Sequence, residues 1–112
     1  MDRKRKIVIG SDIGIKIQNS ADISETLAAA VGSAGLVLSE DNLKPEFFDL
    51  RTGLAGEFFQ KFTNYKLRVA IIVPNLEVYG RRFQELAYEH ASHNLIRILP
   101  SKVEAMAWLE NN

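Results

Sequence analysis

The stretch from Pro45 to Tyr65, PEFFDLRTGLAGEFFQKFTNY, constrains the fold more than any other part of the chain. It holds five of the six phenylalanines. A first apolar stripe recurs at every fourth residue: Leu50, Leu54, Phe58 and Phe62. Further large side chains widen this stripe, and so wide a stripe predicts a helix that is buried on more than one side. Gly53 is expected to divide the stretch into a short first turn, Pro45–Leu50, and a main helix.

Strand and helix patterns alternate around this stretch. Lys66–Val73 is the strongest strand pattern, and its continuous apolar run predicts a central strand covered on both faces. Further strands are predicted at Leu36–Leu38 and Leu95–Leu99. Further helices are predicted near Asp22, at Gly80–Ala91 and after Pro100. Because alternating strands and helices are joined by right-handed crossovers, the sheet should be largely parallel.

The amino-terminal segment predicts an antiparallel addition to this sheet. Ile7–Ile9 and Ile13–Ile17 read as strands, and Gly10-Ser11-Asp12 between them is a hairpin signal. The second strand alternates apolar and polar residues, which is typical of a sheet with one wet face. We therefore predict one α/β domain over residues 1–112, with a five-stranded mixed sheet, an N-terminal hairpin and about four helices. The half-exposed hairpin face would suit a homodimer.

Composition excludes several classes of site. The 112 residues fit one domain. The absence of cysteine excludes disulfides, thiolate nucleophiles and cysteine zinc sites. No apolar run approaches the length of a membrane span, and no signal peptide is recognised, so a cytoplasmic protein without membrane contact is expected. Nucleic-acid binding through Arg3–Lys6 with Arg81 and Arg82 stays an alternative, although the zero net charge lacks the usual basic excess.

The small-residue cluster Thr52–Gly56 is the most informative local feature. Two glycines inside a helix cost about 1 kcal/mol each against alanine, so something should compensate. Close packing on the sheet, close approach by a partner chain and an anion at the helix start all remain open. Neither phosphate-binding glycine motif occurs. Asp49 is placed to cap the helix, and Arg51 could pair with Asp49 or Glu57 or bind an acidic partner.

The two histidines, His90 and His93, offer a weak metal pattern. Their spacing places both on one side of a helical turn, but no third ligand is evident. His90 falls on an apolar helix face, which favours a hydrogen-bonded and partly buried side chain. No nucleophile elbow G-x-S-x-G occurs. The sequence therefore predicts no catalytic residue, no metal site and no cofactor.

The run FFDLRTGLAGE, from Phe47 to Glu57, with Gln60-Lys61-Phe62 and Asn64-Tyr65 behind it, resembles the signature of an uncharacterised bacterial family of domains of unknown function. The likeness extends from about Gly35 to Leu109. More distantly, the chain is similar to STAS-like domains, the fold of bacterial anti-sigma-factor antagonists. Their helix start carries Asp-Ser-Ser-Gly-Leu, where this chain has Arg51-Thr52-Gly53-Leu54. Their regulatory phosphoserine would fall at Arg51, and Thr52 is a hydroxyl residue one position on.

This resemblance implies a STAS-like regulatory or protein-interaction module without catalytic activity. The partner-binding surface would centre on the start of the main helix, and its residues would be Asp49, Arg51, Thr52, Gly53, Gly56 and Glu57. The alternative is a small-molecule-binding protein or small enzyme with a pocket near Asp49, Arg51 and His90.

Overall fold

Four short strands and five helices build the computed structural model, which describes residues 5–111. The strands are β1 Ile7–Ile9, β2 Gly35–Ser39, β3 Val69–Ile72 and β4 Ile96–Leu99. The helices are α1 Ser20–Ala30, α2 Pro45–Phe48, α3 Leu54–Asn64, α4 Arg81–Glu89 and α5 Lys102–Glu110. Arg3 and Lys4 of the predicted basic arm lie outside the described residues. Across residues 5–111, no helix is both long and apolar enough to cross a membrane.

The strands form one parallel sheet in the order β1-β2-β3-β4. Because neighbouring strands are also successive in sequence, right-handed crossovers place every connecting helix on the same face. Buried apolar side chains from α1, α3 and α4, among them Ile23, Phe58 and Phe83, accordingly share one core. Helix α5 follows the last strand and packs on the opposite face, against β2, β3 and β4. The result is an α/β domain whose two faces are covered unequally.

Side-chain alternation along β2 and β3 separates the two cores. Leu36 and Leu38 are fully buried in the three-helix core, whereas Val37 between them belongs to the α5 core. Ala70 is the corresponding residue of β3, and it packs with Ala105 in the α5 core. The continuous apolar run that ends at Val73 was expected to mark a central strand covered on both faces, and the positions of β3 confirm that expectation.

The predicted hairpin is wrong. Gly10–Ile13 forms a 3-10 turn directly after β1, and Gly14 follows in the left-handed region at φ 70°. The Ile17 N–H donates to the Asn42 carbonyl at 2.8 Å, and the Lys44 N–H donates to the Ile17 carbonyl at 3.1 Å. These hydrogen bonds go to the connection after β2 and not to β1. The sheet therefore has four parallel strands instead of five mixed ones.

The homodimer surface expected on the hairpin is lost with it. Ile17 forms a single parallel bridge with Leu43 and is fully buried in the three-helix core. Ile15 is partly buried against the same core, while Ile13 stays 54% exposed. The alternating isoleucines of this segment thus belong to a loop that packs against one end of the core. They do not form a sheet face that is exposed to solvent.

The aromatic stretch folds as predicted, with a break before the main helix. Helix α2 is followed by a 3-10 turn at Leu50–Thr52, and Gly53 precedes α3. The Phe58 ring stacks on Phe62 with centroids 4.4 Å apart and meets Phe47 edge-on at 5.5 Å. All three phenylalanines are fully buried. The α2–α3 segment is therefore anchored by its rings, and this anchoring holds the intervening turn at the surface.

Candidate functional site

An open cleft of about 550 Å³ lies between α2 and the start of α4. Its walls come from the connection after β2 and the connection after β3, so it sits at the carboxyl end of the parallel sheet. Binding sites of α/β proteins commonly occupy this end. We refer to it as the α2–α4 cleft. It is lined by Pro45, Phe48, Asp49, Leu50, Arg51, Val78, Tyr79, Gly80, Arg81, Arg82 and Phe83.

Stacked aromatic rings form the apolar part of the α2–α4 cleft. The Phe48 and Tyr79 rings are stacked with centroids 4.1 Å apart, and Phe83 meets Phe48 edge-on at 5.0 Å. Phe83 is buried, whereas Phe48 and Tyr79 are half-buried and so leave part of their surface to the cleft. Such a shelf joins the two connections, because Phe48 belongs to one and Tyr79 to the other.

Tyr79 is held by Glu40 as well as by its ring contacts. Its hydroxyl donates a hydrogen bond to the Glu40 carboxylate. Burial first, and then the hydrogen bond and charge of Glu40, raise the pKa of Tyr79 well above its ordinary value. The phenol therefore stays protonated, and its polar end is committed to Glu40. Tyr79 therefore contributes its aromatic ring, and not a free hydroxyl, to the cleft lining.

Asp49 and Arg51 form a two-pronged ion pair at the rim. The Arg51 Nε donates to Asp49 Oδ1 and its Nη2 donates to Asp49 Oδ2, both at 3.0 Å. The Arg51 side-chain hydrogen bonds, followed by a bond from its backbone N–H, lower the pKa of Asp49. The Arg51 side chain is 85% exposed. An exposed pair of this kind contributes little to stability, so its partners can be exchanged at small cost.

Two further arginines occupy the first turn of α4. The Arg81 Nε lies 3.9 Å from the Glu85 carboxylate, a loose contact for two exposed side chains. Arg82 is exposed and forms no ion pair with any residue between 5 and 111. With Arg51, the lining carries three guanidinium groups against the one carboxylate of Asp49. The cleft is thus locally basic in a chain of zero net charge.

Thr52 and Gly53 shape the turn instead of lining the cleft. The Thr52 hydroxyl lies 2.7 Å from the Glu46 carbonyl and 2.8 Å from the Asp49 carbonyl, and its oxygen accepts the Leu54 N–H at 3.2 Å. Gly53 adopts φ 78°, which L-residues other than glycine rarely do. This conformation lets α3 begin directly after the 3-10 turn. The glycine at position 53 therefore has a local structural reason.

Gly56 and Glu57 lie away from the α2–α4 cleft. A methyl group built on Gly56 would meet no atom within 4 Å, so close packing on the sheet does not explain this glycine. Glu57 accepts a hydrogen bond from the Ser20 hydroxyl at 2.7 Å, which links α3 to α1. Of the six predicted residues, Asp49 and Arg51 lie together in the cleft, and Thr52 and Gly53 form the turn beside it. Gly56 and Glu57 lie elsewhere.

The two glycines are expected to respond oppositely to alanine. Gly53→Ala should lower the free energy of unfolding by about 1–2 kcal/mol, because alanine is strained at positive φ. Gly56→Ala should raise it by about 0.5–1 kcal/mol, because this helical position is exposed and open. Urea unfolding followed by circular dichroism measures both. A loss of stability in Gly56→Ala would contradict this assignment of the two positions.

His90 does not line the cleft, which removes it from the predicted pocket. Its Nδ1 lies 2.9 Å from the Leu86 carbonyl, and its ring meets Phe59 edge-on at 4.7 Å. His93 Nδ1 accepts the N–H groups of Leu95 and Ile96, each at 3.1 Å. Both rings therefore have structural partners. Across residues 5–111, no group of three or more histidine, aspartate and glutamate residues could hold a metal ion.

His93 should make stability depend on pH. Burial, followed by the charges of His90 and Arg97, lowers the pKa of His93 below its ordinary 6.5. Because the unfolded chain then binds more protons, the contribution of neutral His93 is complete above about pH 6.5 and is lost as the pH falls through the lowered folded pKa. The wild type should have a higher thermal midpoint than His93→Asn at neutral pH, and this difference should shrink as the pH is lowered. A difference that is constant from about pH 8 to about pH 5 would contradict this.

Tyr79, Phe48 and Glu40 were not recognised from the sequence as site residues. Phe48 was noted only as part of the FFDLRTGLAGE run, and Tyr79 stands in a connection with no motif. The available signal was an aromatic residue between Asn75 and Arg81, in the connection after the strongest strand. The carboxyl ends of parallel strands meet at one edge of a sheet, so this position could have been placed beside Asp49 and Arg51.

The profile of a domain of unknown function, DUF4180, matches residues 2–109. No curated protein and no solved structure matches the chain. The match covers nearly the whole chain, including α2, the turn that carries Arg51, and the arginines of α4. The resemblance to a family of domains of unknown function is thereby confirmed. The chain belongs to the DUF4180 family.

Proposed function

We propose that this chain is a STAS-like regulatory module without catalytic activity, and that it binds a partner protein at the α2–α4 cleft. The observation that carries this proposal is the aromatic shelf of Phe48 and Tyr79 beside the exposed guanidinium of Arg51 at the open end of the sheet. Aromatic residues and arginine are the residue types enriched where protein partners bind tightly.

The position of Arg51 implies that the proposed regulation does not use a phosphoserine at this place. In the STAS-like resemblance, the residue at this position is a serine that gains a negative charge on phosphorylation. Here it is a permanently charged arginine at the rim of the cleft. The neighbouring Thr52 hydroxyl contacts two carbonyls and the Leu54 N–H. The surface would therefore act through a constant positive charge in place of a phosphate.

A small-ligand site or small enzyme is the second candidate, and the α2–α4 cleft would be its pocket. Its support is the size of the cleft, about 550 Å³, with Asp49 and Arg51 among the lining residues. Small-molecule pockets usually bury most of their ligand. This cleft is open, and His90 is not part of it. Those two features favour a partner surface over a small-molecule pocket.

Affinity capture from the native host tests the partner-binding proposal. The baits are the wild type, a cleft variant with Arg51→Glu and Arg82→Glu, and Gly56→Trp as a matched surface control away from the cleft. We expect a partner that the wild type and the control retain and the cleft variant loses. A partner that survives the cleft variant, or is lost only with Gly56→Trp, would place the binding surface elsewhere on the chain.

Two further predictions belong to this proposal. Turnover of a small ester, amide or phosphate substrate that disappears in Arg51→Glu would overturn the absence of catalytic activity. A homodimer also stays a prediction, without the hairpin surface that motivated it. Light scattering that detects only monomer over a wide concentration range would exclude the homodimer.

A further inference from the structure

We propose that the segment bound in the α2–α4 cleft is acidic and carries at least one aromatic or large aliphatic side chain. This inference rests on the proposed partner-binding function and adds the chemistry of the partner. The cleft pairs a basic rim with an apolar shelf. Both features are made by residues from two separate connections, the one that follows β2 and the one that follows β3.

The arginines of α4 stand where the helix itself disfavours them. The amino end of a helix carries a partial positive charge, so acidic residues stabilise the first turn and basic residues oppose it. Helix α4 begins with Arg81 and Arg82, has no acidic residue in its first turn, and receives no side-chain cap from Gly80. Within residues 5–111, the ion pair that offsets the charge of Arg81 is the loose contact to Glu85. Carboxylates of a bound segment would offset this unfavourable placement.

Asp49 shows how the cleft can hold a carboxylate. It occupies the Nε and Nη2 edge of Arg51 with two bonds of 3.0 Å, which is the fork geometry that arginine uses for carboxylates. The Arg51 side chain is 85% exposed, so the remaining guanidinium nitrogen is open to a second carboxylate. An incoming acidic side chain can share Arg51 with Asp49 or displace it.

The apolar shelf indicates that the bound segment has an apolar side chain in addition to its acidic ones. Phe48 and Tyr79 are stacked and half-buried, and the neighbouring Val78 is 66% exposed. The Tyr79 hydroxyl is committed to Glu40, so a partner meets the aromatic ring of Tyr79 instead of its hydroxyl. An aromatic or large aliphatic side chain would cover this surface, while acidic residues on either side of it would reach the arginines.

The charges around the cleft favour a short acidic segment over a nucleic acid. Glu46 and Glu77 are exposed in the same two connections, next to the lining residues Pro45 and Val78. A polyanion with a phosphate at every step would meet these carboxylates as well as the arginines. A segment with a few placed acidic side chains can contact the arginines and avoid Glu46 and Glu77.

A displayed library of random peptides tests this inference, because the recovered sequences report which side chains the cleft prefers. The library is selected on the full-length wild type and depleted on an Arg81→Glu/Arg82→Glu variant whose fold is checked by circular dichroism. We expect recovered peptides rich in aspartate and glutamate around an aromatic or large aliphatic residue. When these peptides are added, the backbone amide resonances of the protein that shift should be those of Arg51 and of residues 78–83. Affinity should fall about tenfold or more in the double variant, and also with rising salt.

A charge reversal on the opposite side of the sheet is the matched control. Lys102→Glu changes an exposed lysine at the start of α5, which packs on the other face. It should leave peptide affinity unchanged. A loss equal to that of the double variant would show a general charge effect and overturn the inference.

The outcomes separate this inference from the proposed function. Neutral or basic peptides that map to the cleft overturn the acidic chemistry and leave partner binding intact. A selection that recovers no peptide, while a folded partner is still captured in a way that depends on Arg51 and Arg82, is a further outcome. That result likewise overturns the acidic chemistry and leaves partner binding intact. Peptides that map to α5 or β1 overturn both. Saturable binding of single-stranded RNA at the cleft, tighter than that of the acidic peptides, assigns the arginines to a nucleic acid and overturns the inference.

Discussion

Phe58→Ala is expected to lower the free energy of unfolding by about 3–5 kcal/mol, the usual range for removing a fully buried phenylalanine. Phe58 has no exposed surface and contacts the rings of Phe47, Phe59 and Phe62. The cavity would lie between α2 and α3. The three neighbouring rings are held in place there, so they should fill the cavity only in part. Urea unfolding followed by circular dichroism measures the change.

Tyr65→Ala is the matched aromatic control for this experiment. Tyr65 is 68% exposed and ends α3, so its removal should change stability by about 0.5 kcal/mol or less. A loss of less than about 1 kcal/mol in Phe58→Ala would mean that the aromatic cluster does not hold α2 to α3. The turn that carries Arg51 would then need another anchor.

Asn42→Ala is expected to lower the free energy of unfolding by about 2–3 kcal/mol, because it leaves two partly buried backbone groups without partners. Asn42 is 2% exposed. Its amide donates to the Ile15 carbonyl at 2.8 Å, and its Oδ1 accepts the Ser39 N–H at 2.9 Å. One side chain thus ties the end of β2 to the loop that was expected to be a hairpin. The same unfolding measurement applies.

Asn75→Ala serves as its control, since Asn75 is exposed and makes no side-chain cap for the turn that follows it. We expect a change of about 0.5 kcal/mol or less there. If Asn42→Ala is equally mild, water has replaced the lost bonds and the loop is not held by this side chain. A severe effect should also weaken binding at the cleft, because Glu40, which holds Tyr79, lies two residues before Asn42.

Local patterns were sufficient for the strands β2, β3 and β4 and for the helices α3 and α4. Each has an apolar period that matches its structure, and their alternation with right-handed crossovers predicted a largely parallel sheet. The amino-terminal segment shows why the same reasoning failed for the hairpin. Ile13, Ile15 and Ile17 alternate as a strand would, but the hydrogen bonds of Ile17 are made with a segment 25 or more residues away.

The candidate site divides in the same way. Asp49 and Arg51 are two residues apart, so their pairing and exposure follow from a local turn. Arg82 and Tyr79 reach the same cleft only because the connection after β3 lies beside the connection after β2. His90 does not share this cleft with Asp49 and Arg51, since it ends α4 at its other terminus, and a pocket beside all three residues stays a prediction.

The opening stretch of aromatic residues therefore determined by itself a helix buried on several sides and a break at Gly53. Both depend on periodicity and on the backbone freedom of glycine, which are properties of neighbouring residues. Only the tertiary structure decided that the break stands at the rim of a basic cleft, with Tyr79 stacked on Phe48. Contacts of that kind join residues distant in sequence, and their partners depend on how the strands are ordered in the sheet.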